Sequence, residues 1–113
     1  MALISLKGEK DFNNVFQHGQ KFGNRHFQFY YVKNRKDTNR LGIIVSKKVS
    51  KNAVVRNKIR RRIRESFRIN GCCFKLGYDL IIIAKKRCVQ ASYQELNQSL
   101  KHLFYKTKME VKS

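Results

Sequence analysis

A chain of 113 residues is long enough for one compact domain and too short for two. Its 42% hydrophobic content, with 8 Phe, 5 Tyr, no Pro and only 6 Gly, supports a core and excludes a disordered basic tail or a linker-rich, low-complexity protein. Lys and Arg number 26 against 7 acids, and a net charge of +19 repels itself on so small a body, so a polyanion is the expected partner: nucleic acid first, an anionic membrane surface second, acidic protein a distant third.

The first periodic segment, Glu9 to His18, places Phe12, Val15 and Phe16 at i, i+3 and i+4, which predicts a short amphipathic helix stopped by Gly19. His26 to Lys33 alternates as a strand, with Phe27, Phe29 and Tyr31 on one face and His26, Gln28, Tyr30 and Val32 on the other. The polar stretch Asn34 to Arg40 reads as a hairpin turn into a second strand, Leu41 to Ser46, rich in Ile and Val. From Asn52 to Asn70 the period turns helical, with Asn52 or Ser50 as N-cap and Asn70 followed by Gly71 as the stop. Tyr78 to Ala84 contains Leu80 to Ile83, an unbroken apolar run of the kind buried on both faces of a sheet. Ser92 and Glu95 form a capping box ahead of the stripe Leu96, Leu100, Leu103 and Phe104. The order is α-β-β-α-β-α, with room for one more short strand between Lys21 and Asn24. Residues 1–113 therefore read as a single α+β domain with a small sheet, without internal repeat or domain boundary.

No window of about 18 apolar residues occurs, so no transmembrane helix is expected. The first ten residues lack the basic start, long apolar stretch and small-residue cleavage site of a signal peptide. Cys72, Cys73 and Cys88 lack the paired CxxC spacing of a metal site or disulfide framework. They read as buried or incidental free thiols in a reducing cytoplasm, the expected location.

Residues 47 to 68 hold the densest charge: Lys47, Lys48, Lys51, Arg56, Lys58, Arg60, Arg61, Arg62, Arg64 and Arg68, opposed by Glu65 alone. At about 100° per residue, Val55, Ile59, Ile63 and Phe67 share one side of the helix, while Arg56, Asn57, Arg60, Arg61, Arg64 and Arg68 take the remaining arc. Such a helix lies on a sheet by its apolar stripe and holds out a fence of guanidinium groups. Heads at i, i+4 stand about 5.4 Å apart along the axis, close to the phosphate spacing of a nucleic-acid strand. Arg gives a phosphate two parallel donors, which suits it to that task better than Lys. Like charges at i, i+4 each cost an isolated helix a few tenths of a kcal/mol, a cost that a bound anion offsets. Most charge runs are solvated faces, but those usually mix signs and this one does not, which points to nucleic-acid binding.

Phe12, Phe16 and Tyr30 can form a small platform on which bases stack, at about 1–3 kcal/mol per base and without sequence preference. Aromatics at i, i+4 are usually core, and spacing alone leaves both uses of Phe12 and Phe16 open.

The stretches Arg40 to Lys48 and Asn52 to Phe67 resemble the signature of the bacterial ribonuclease P protein, whose centre is an Arg-Asn-Arg element leading into a basic helix. Here that element reads Arg56, Asn57, Lys58, Ile59, Arg60, Arg61, with Lys58 where the motif often has Arg. Family-like positions extend to Asp11 through Phe16, His18 and Gly19, Asn24 and Arg25 with the aromatic strand after them, and Asp79 to Lys85, so the resemblance covers nearly the whole chain. It implies the protein subunit of a ribonucleoprotein endonuclease, whose RNA cleaves the 5′ leader from precursor tRNA with Mg2+ bound mainly by that RNA. The protein would carry neither a catalytic residue nor a metal site. Its partners would be ribonuclease P RNA and leader-bearing precursor tRNA, no membrane, with the protein alone monomeric. On that pattern Arg56, Asn57, Lys58, Arg60, Arg61 and Arg64 face RNA with Lys47 and Lys48 nearby, and the helical arc adds Arg68. Phe12, Phe16 and Tyr30 match leader-contacting positions. The implied α+β fold is that of the second domain of ribosomal protein S5, a small mixed sheet with a left-handed crossover joining parallel strands through the basic helix, whereas such units are right-handed in about 98% of cases.

Cleavage by the protein alone is not expected. A two-metal nuclease needs clustered carboxylates, and Glu9, Asp11, Asp37, Glu65, Asp79, Glu95 and Glu110 are scattered. His18, His26 and His102 offer no evident acid–base pair. A ribosomal protein or general RNA chaperone would share the charge, size and fold class; a membrane-active peptide would need a more apolar helix and Trp.

Overall fold

A computed structural model describes residues 4–70 and 75–108, with the backbone alone at residue 70. Gly71, Cys72, Cys73 and Glu110 lie outside the described residues. In chain order the elements are β1 (Ile4–Ser5), α1 (Glu9–His18), β2 (Gln20–Gly23), β3 (Phe27–Lys33), β4 (Arg40–Ile44), α2 (Ala53–Asn70), β5 (Tyr78–Ala84), one 3₁₀ turn (Lys86–Val89) and α3 (Tyr93–Lys106). The strand foreseen near Lys21 is β2, whereas β1 has no precedent in the sequence pattern.

The sheet is ordered β1-β4-β5-β3-β2. β4 runs parallel to β1 and β5, whereas β3 runs antiparallel to β5 and β2, so the sheet is mixed and α2 bridges the parallel pair β4 and β5. β5 lies at the centre, and its unbroken apolar run is used on both faces. Leu80, Ile82 and Ala84 join the larger core with Phe27 and Phe29, under Ile59, Ile63 and Phe67 of α2 and Leu96, Leu100, Leu103 and Phe104 of α3. Ile81 turns to the other face, where it meets Val15 of α1 and Leu6. Each fully buried side chain of this size stabilises the fold by about 1.5–3 kcal/mol.

The caps follow the sequence. Asn52 opens α2, its Oδ1 accepting from the Val54 N–H at 2.9 Å, and Ser50 Oγ accepts in turn from the Asn52 N–H at 3.2 Å. Ser92 Oγ accepts from the Glu95 N–H and the Glu95 carboxylate from the Ser92 N–H, both at 3.1 Å, completing the capping box of α3. Gly19 ends α1 with its N–H on the Val15 carbonyl at 2.8 Å, and a Cβ there would lie 2.4 Å from that oxygen. Cys88 is a buried free thiol that donates to the His26 carbonyl at 3.1 Å, and burial pushes its pKa up to about 11.

Candidate nucleic-acid interface

α2 lies on the sheet by Ile59, Ile63 and Phe67 and leaves Asn57, Lys58, Arg61, Arg64 and Arg68 exposed. Arg56 and Arg60, which flank the apolar stripe, are instead half-buried. Arg56 Nη1 donates to the Ser50 carbonyl at 2.9 Å, and Arg60 donates to the Val45 carbonyl at 3.2 Å and to Asn57 Oδ1 at 2.9 Å. These bonds tie the β4–α2 loop, with its exposed Lys47, Lys48 and Lys51, to the helix. The fence thus divides: Arg61 and Arg64 reach outward, while Arg56 and Arg60 brace the loop without losing charge, because carbonyl and amide oxygens do not cancel it. Among the described residues the one ion pair on α2 joins Arg68 to Glu65 at 3.2 Å, both well exposed and therefore weakly coupled. Arg62, outside that arc, lies 5.7 Å from the centre of the Tyr93 ring on α3.

On the opposite face α1 covers only part of the sheet, and Tyr30, Val32, Ile44 and Ile83 remain half-buried beside it. Phe12 lies over Gly42, where a Cβ would come within 2.6 Å of its Cζ. Phe16 is 38% exposed and meets Tyr30 edge-on, with centroids 5.0 Å apart at 84°. The structure therefore separates two rings that spacing could not: Phe12 is half-buried and Phe16 is open to a ligand. Phe12 also borders a cavity of about 340 Å³ at the β1 edge, whose lining includes Arg60 and Arg64. The aromatic cleft and the arginine helix adjoin.

α1 is held over this cleft by a clamp that the sequence did not reveal. Arg40, at the head of β4, donates through Nε and Nη2 to both oxygens of Asp79 on β5 at 2.8 and 2.6 Å, and through Nη1 to Asp11 on α1 at 3.2 Å. Asn34 adds a bond to Asp79 Oδ1 at 2.9 Å. Burial pushes the Asp79 carboxyl upward, but the Arg40 and Asn34 bonds outweigh it and hold the group below its ordinary value. The bond to Asp79 raises the Arg40 guanidinium above its own. Asp11 and Asp79, scattered in sequence, thus meet around one shared cation. The signal was an acid at the start of an otherwise apolar strand, but its partner depends on the parallel register that sets Arg40 beside Asp79.

The profile of the Ribonuclease P family matches residues 2–108. The chain belongs to the ribonuclease P protein family. It is 45% identical over 108 residues to the ribonuclease P protein component of Clostridium kluyveri, a match spanning 94% of this chain and 96% of that one. The solved ribonuclease P protein of Staphylococcus aureus superposes with a TM-score of 0.89 at 35% identity, over 96% of this chain and 99% of that one. The ribonuclease P protein of Thermotoga maritima superposes at 0.82 with 30% identity, covering 90% and 96%. The α+β fold with a five-stranded mixed sheet and three helices is thus that of ribonuclease P proteins. Among the described residues no helix is long and apolar enough to cross a membrane.

Proposed function

We propose that two adjoining surfaces of the chain hold two different RNAs. The α2 arc and its loop, comprising Lys47, Lys48, Arg56, Asn57, Lys58, Arg60, Arg61, Arg64 and Arg68, dock on ribonuclease P RNA. The cleft of Phe12, Phe16 and Tyr30 takes the single-stranded 5′ leader of precursor tRNA. Family membership makes the chain the protein component of ribonuclease P, the accessory subunit of an endoribonuclease that matures the tRNA 5′ end. In this reading it enters the complex as a monomer in the cytoplasm.

One junction carries the assignment of surfaces. Phe12 of the cleft and Arg60 and Arg64 of the helix line the same cavity, so a strand leaving the aromatic platform arrives at guanidinium groups. Held there, the leader contributes binding energy remote from the reacting bond, which orients the cleavage junction against the catalytic RNA. The cations also neutralise phosphates of two RNAs that otherwise repel one another. Magnesium, in this reading, supplies the reaction's metal chemistry and is held mainly by the RNA; among the described residues no three His, Cys, Asp or Glu side chains are grouped to hold an ion. Reconstitution with a bacterial ribonuclease P RNA in low magnesium tests the proposal. Added protein should restore cleavage of precursor tRNA; unaltered cleavage would favour a general RNA chaperone instead.

A further inference from the structure

We propose that a pocket between the β2–β3 turn and α3, on the far side of the sheet from the leader cleft, is a second phosphate site that takes a phosphodiester of the RNA docked on α2. The inference rests on the α2 reading for its source of phosphate. The pocket has a volume of about 360 Å³, and Arg25 and His102 stand on its walls.

Asn24 organises it. Its Oδ1 accepts from the backbone N–H groups of His26 and Phe27 at 3.1 and 3.0 Å, which fixes the orientation of the amide. Its Nδ2 then donates to the Ser99 carbonyl at 2.9 Å and stands 3.4 Å from His102 Nδ1. An amide nitrogen only donates, so at that contact His102 Nδ1 can only accept, which leaves Nε2 as the ring nitrogen free to donate. His102 therefore presents a donor away from Asn24. The buried His26, paired with Ser99 Oγ through Nδ1, does not compete: burial first, then the Arg25 charge, lower its pKa and keep it neutral.

The surrounding charge selects an anion. Arg25 is exposed, Lys85 Nζ donates to the Asn24 carbonyl at 2.6 Å, and Arg87 lies within electrostatic reach of His26. Glu95 is the opposing acid and lines the same pocket, its carboxylate accepting from the Ser92 N–H of the capping box at 3.1 Å while keeping its charge. A guanidinium and an imidazole lining the same cavity, as Arg25 and His102 do, suit a phosphate. The 3₁₀ turn that packs against α2 carries exposed Lys86 and Arg87, while its Cys88 bonds the His26 carbonyl. Basic surface thus continues from the α2 layer to the pocket, which fits one RNA backbone better than a free ion.

The test uses the full chain and ribonuclease P RNA. Arg25→Ala should weaken RNA affinity about tenfold, the effect of losing one charge-assisted contact, and lower the slope of log affinity against log salt by about 1. Its melting temperature should stay unchanged, and Arg25→Lys should recover most of the affinity. His102→Gln should weaken binding in the same direction. Unchanged affinity and slope in Arg25→Ala would overturn the pocket. An Arg61→Ala, Arg64→Ala double variant run in parallel separates the two readings: loss there alone sinks the pocket and leaves the α2 surface standing, whereas no loss in either sinks both. Inorganic phosphate should shift the His102 ring resonances only at millimolar concentration. A micromolar response would mean a free-anion site and overturn the RNA assignment.

Discussion

Gly42 shapes the aromatic cleft as much as the rings do. A methyl group there would approach Phe12 Cζ to 2.6 Å and Cε2 to 2.9 Å, well inside carbon–carbon contact. Gly42→Ala must therefore push the ring off the sheet, costing about 1–3 kcal/mol of stability as overpacking does. Denaturant unfolding should show that loss, and leader-bearing precursor tRNA should bind less tightly. Phe16 supports nothing comparable, being 38% exposed with its edge contact to Tyr30. Phe16→Ala should remove stacking of about 1–3 kcal/mol, roughly 5- to 150-fold in affinity for precursors, and leave mature tRNA nearly unaffected. Equal losses for both tRNAs would mean that the ring does not hold the leader. The two phenylalanines look alike in sequence because i, i+4 spacing sets both on the inner side of one helix. What lies beneath each, Gly42 or Tyr30, comes from strands that the spacing cannot see.

Elements are held to one another by a few such residues. α1 has ten residues and an N-cap glycine without a side-chain bond, a length that is marginal for a helix alone, so the Arg40 clamp matters to its position. Asp79 sits below its ordinary value when folded, so it adds stability above the unfolded carboxyl value of about 3.9 and loses it as pH falls through the folded value. Arg40→Met would strand the Asp79 carboxylate, whose side chain is 4% exposed, at a cost of about 3–5 kcal/mol near neutral pH. Urea unfolding should show that deficit shrinking towards pH 4, as the stranded carboxyl takes up a proton; a deficit independent of pH would refute the clamp. α2 makes a separate prediction. Contact with 6–10 phosphates implies a loss of about 10³–10⁵ in RNA affinity between 50 and 200 mM salt, and a flat response would count against the arginine arc. Long periods and explicit caps were legible in sequence, as the Ser92 box and the Leu80 to Ile83 run attest. β1 was not, because Ile4 and Ser5 are too few to alternate and are strand only through pairing with Arg40 and Leu41. Nor could the pattern tell that Arg56 and Arg60 would turn back to loop carbonyls, since that depends on where the chain from β4 enters the helix.

At the scale of the whole molecule, a net charge of +19 is carried by a body with principal extents of 37 × 33 × 24 Å. Few acids relieve it. Asp11 and Asp79 are spent on Arg40, Glu65 on Arg68, and Glu95 on the α3 cap. The remaining basic surface repels itself, so the free protein should be least stable in low salt and gain melting temperature as salt screens it. RNA acts in the opposite salt regime. A ligand at 100 times its dissociation constant adds about 2.7 kcal/mol to the folded state, worth on the order of 10 °C in a domain near 100 residues, and somewhat less here because the unfolded chain is equally basic. Raising salt strips that contribution by weakening every phosphate contact while it stabilises the free protein. The melting temperatures of free and RNA-bound protein should therefore differ most at low ionic strength and converge above roughly 200 mM salt. A gap that survives high salt would mean that phosphate neutralisation is not what holds the RNA, and the stabilisation would have to come from stacking in the Phe12 and Phe16 cleft instead.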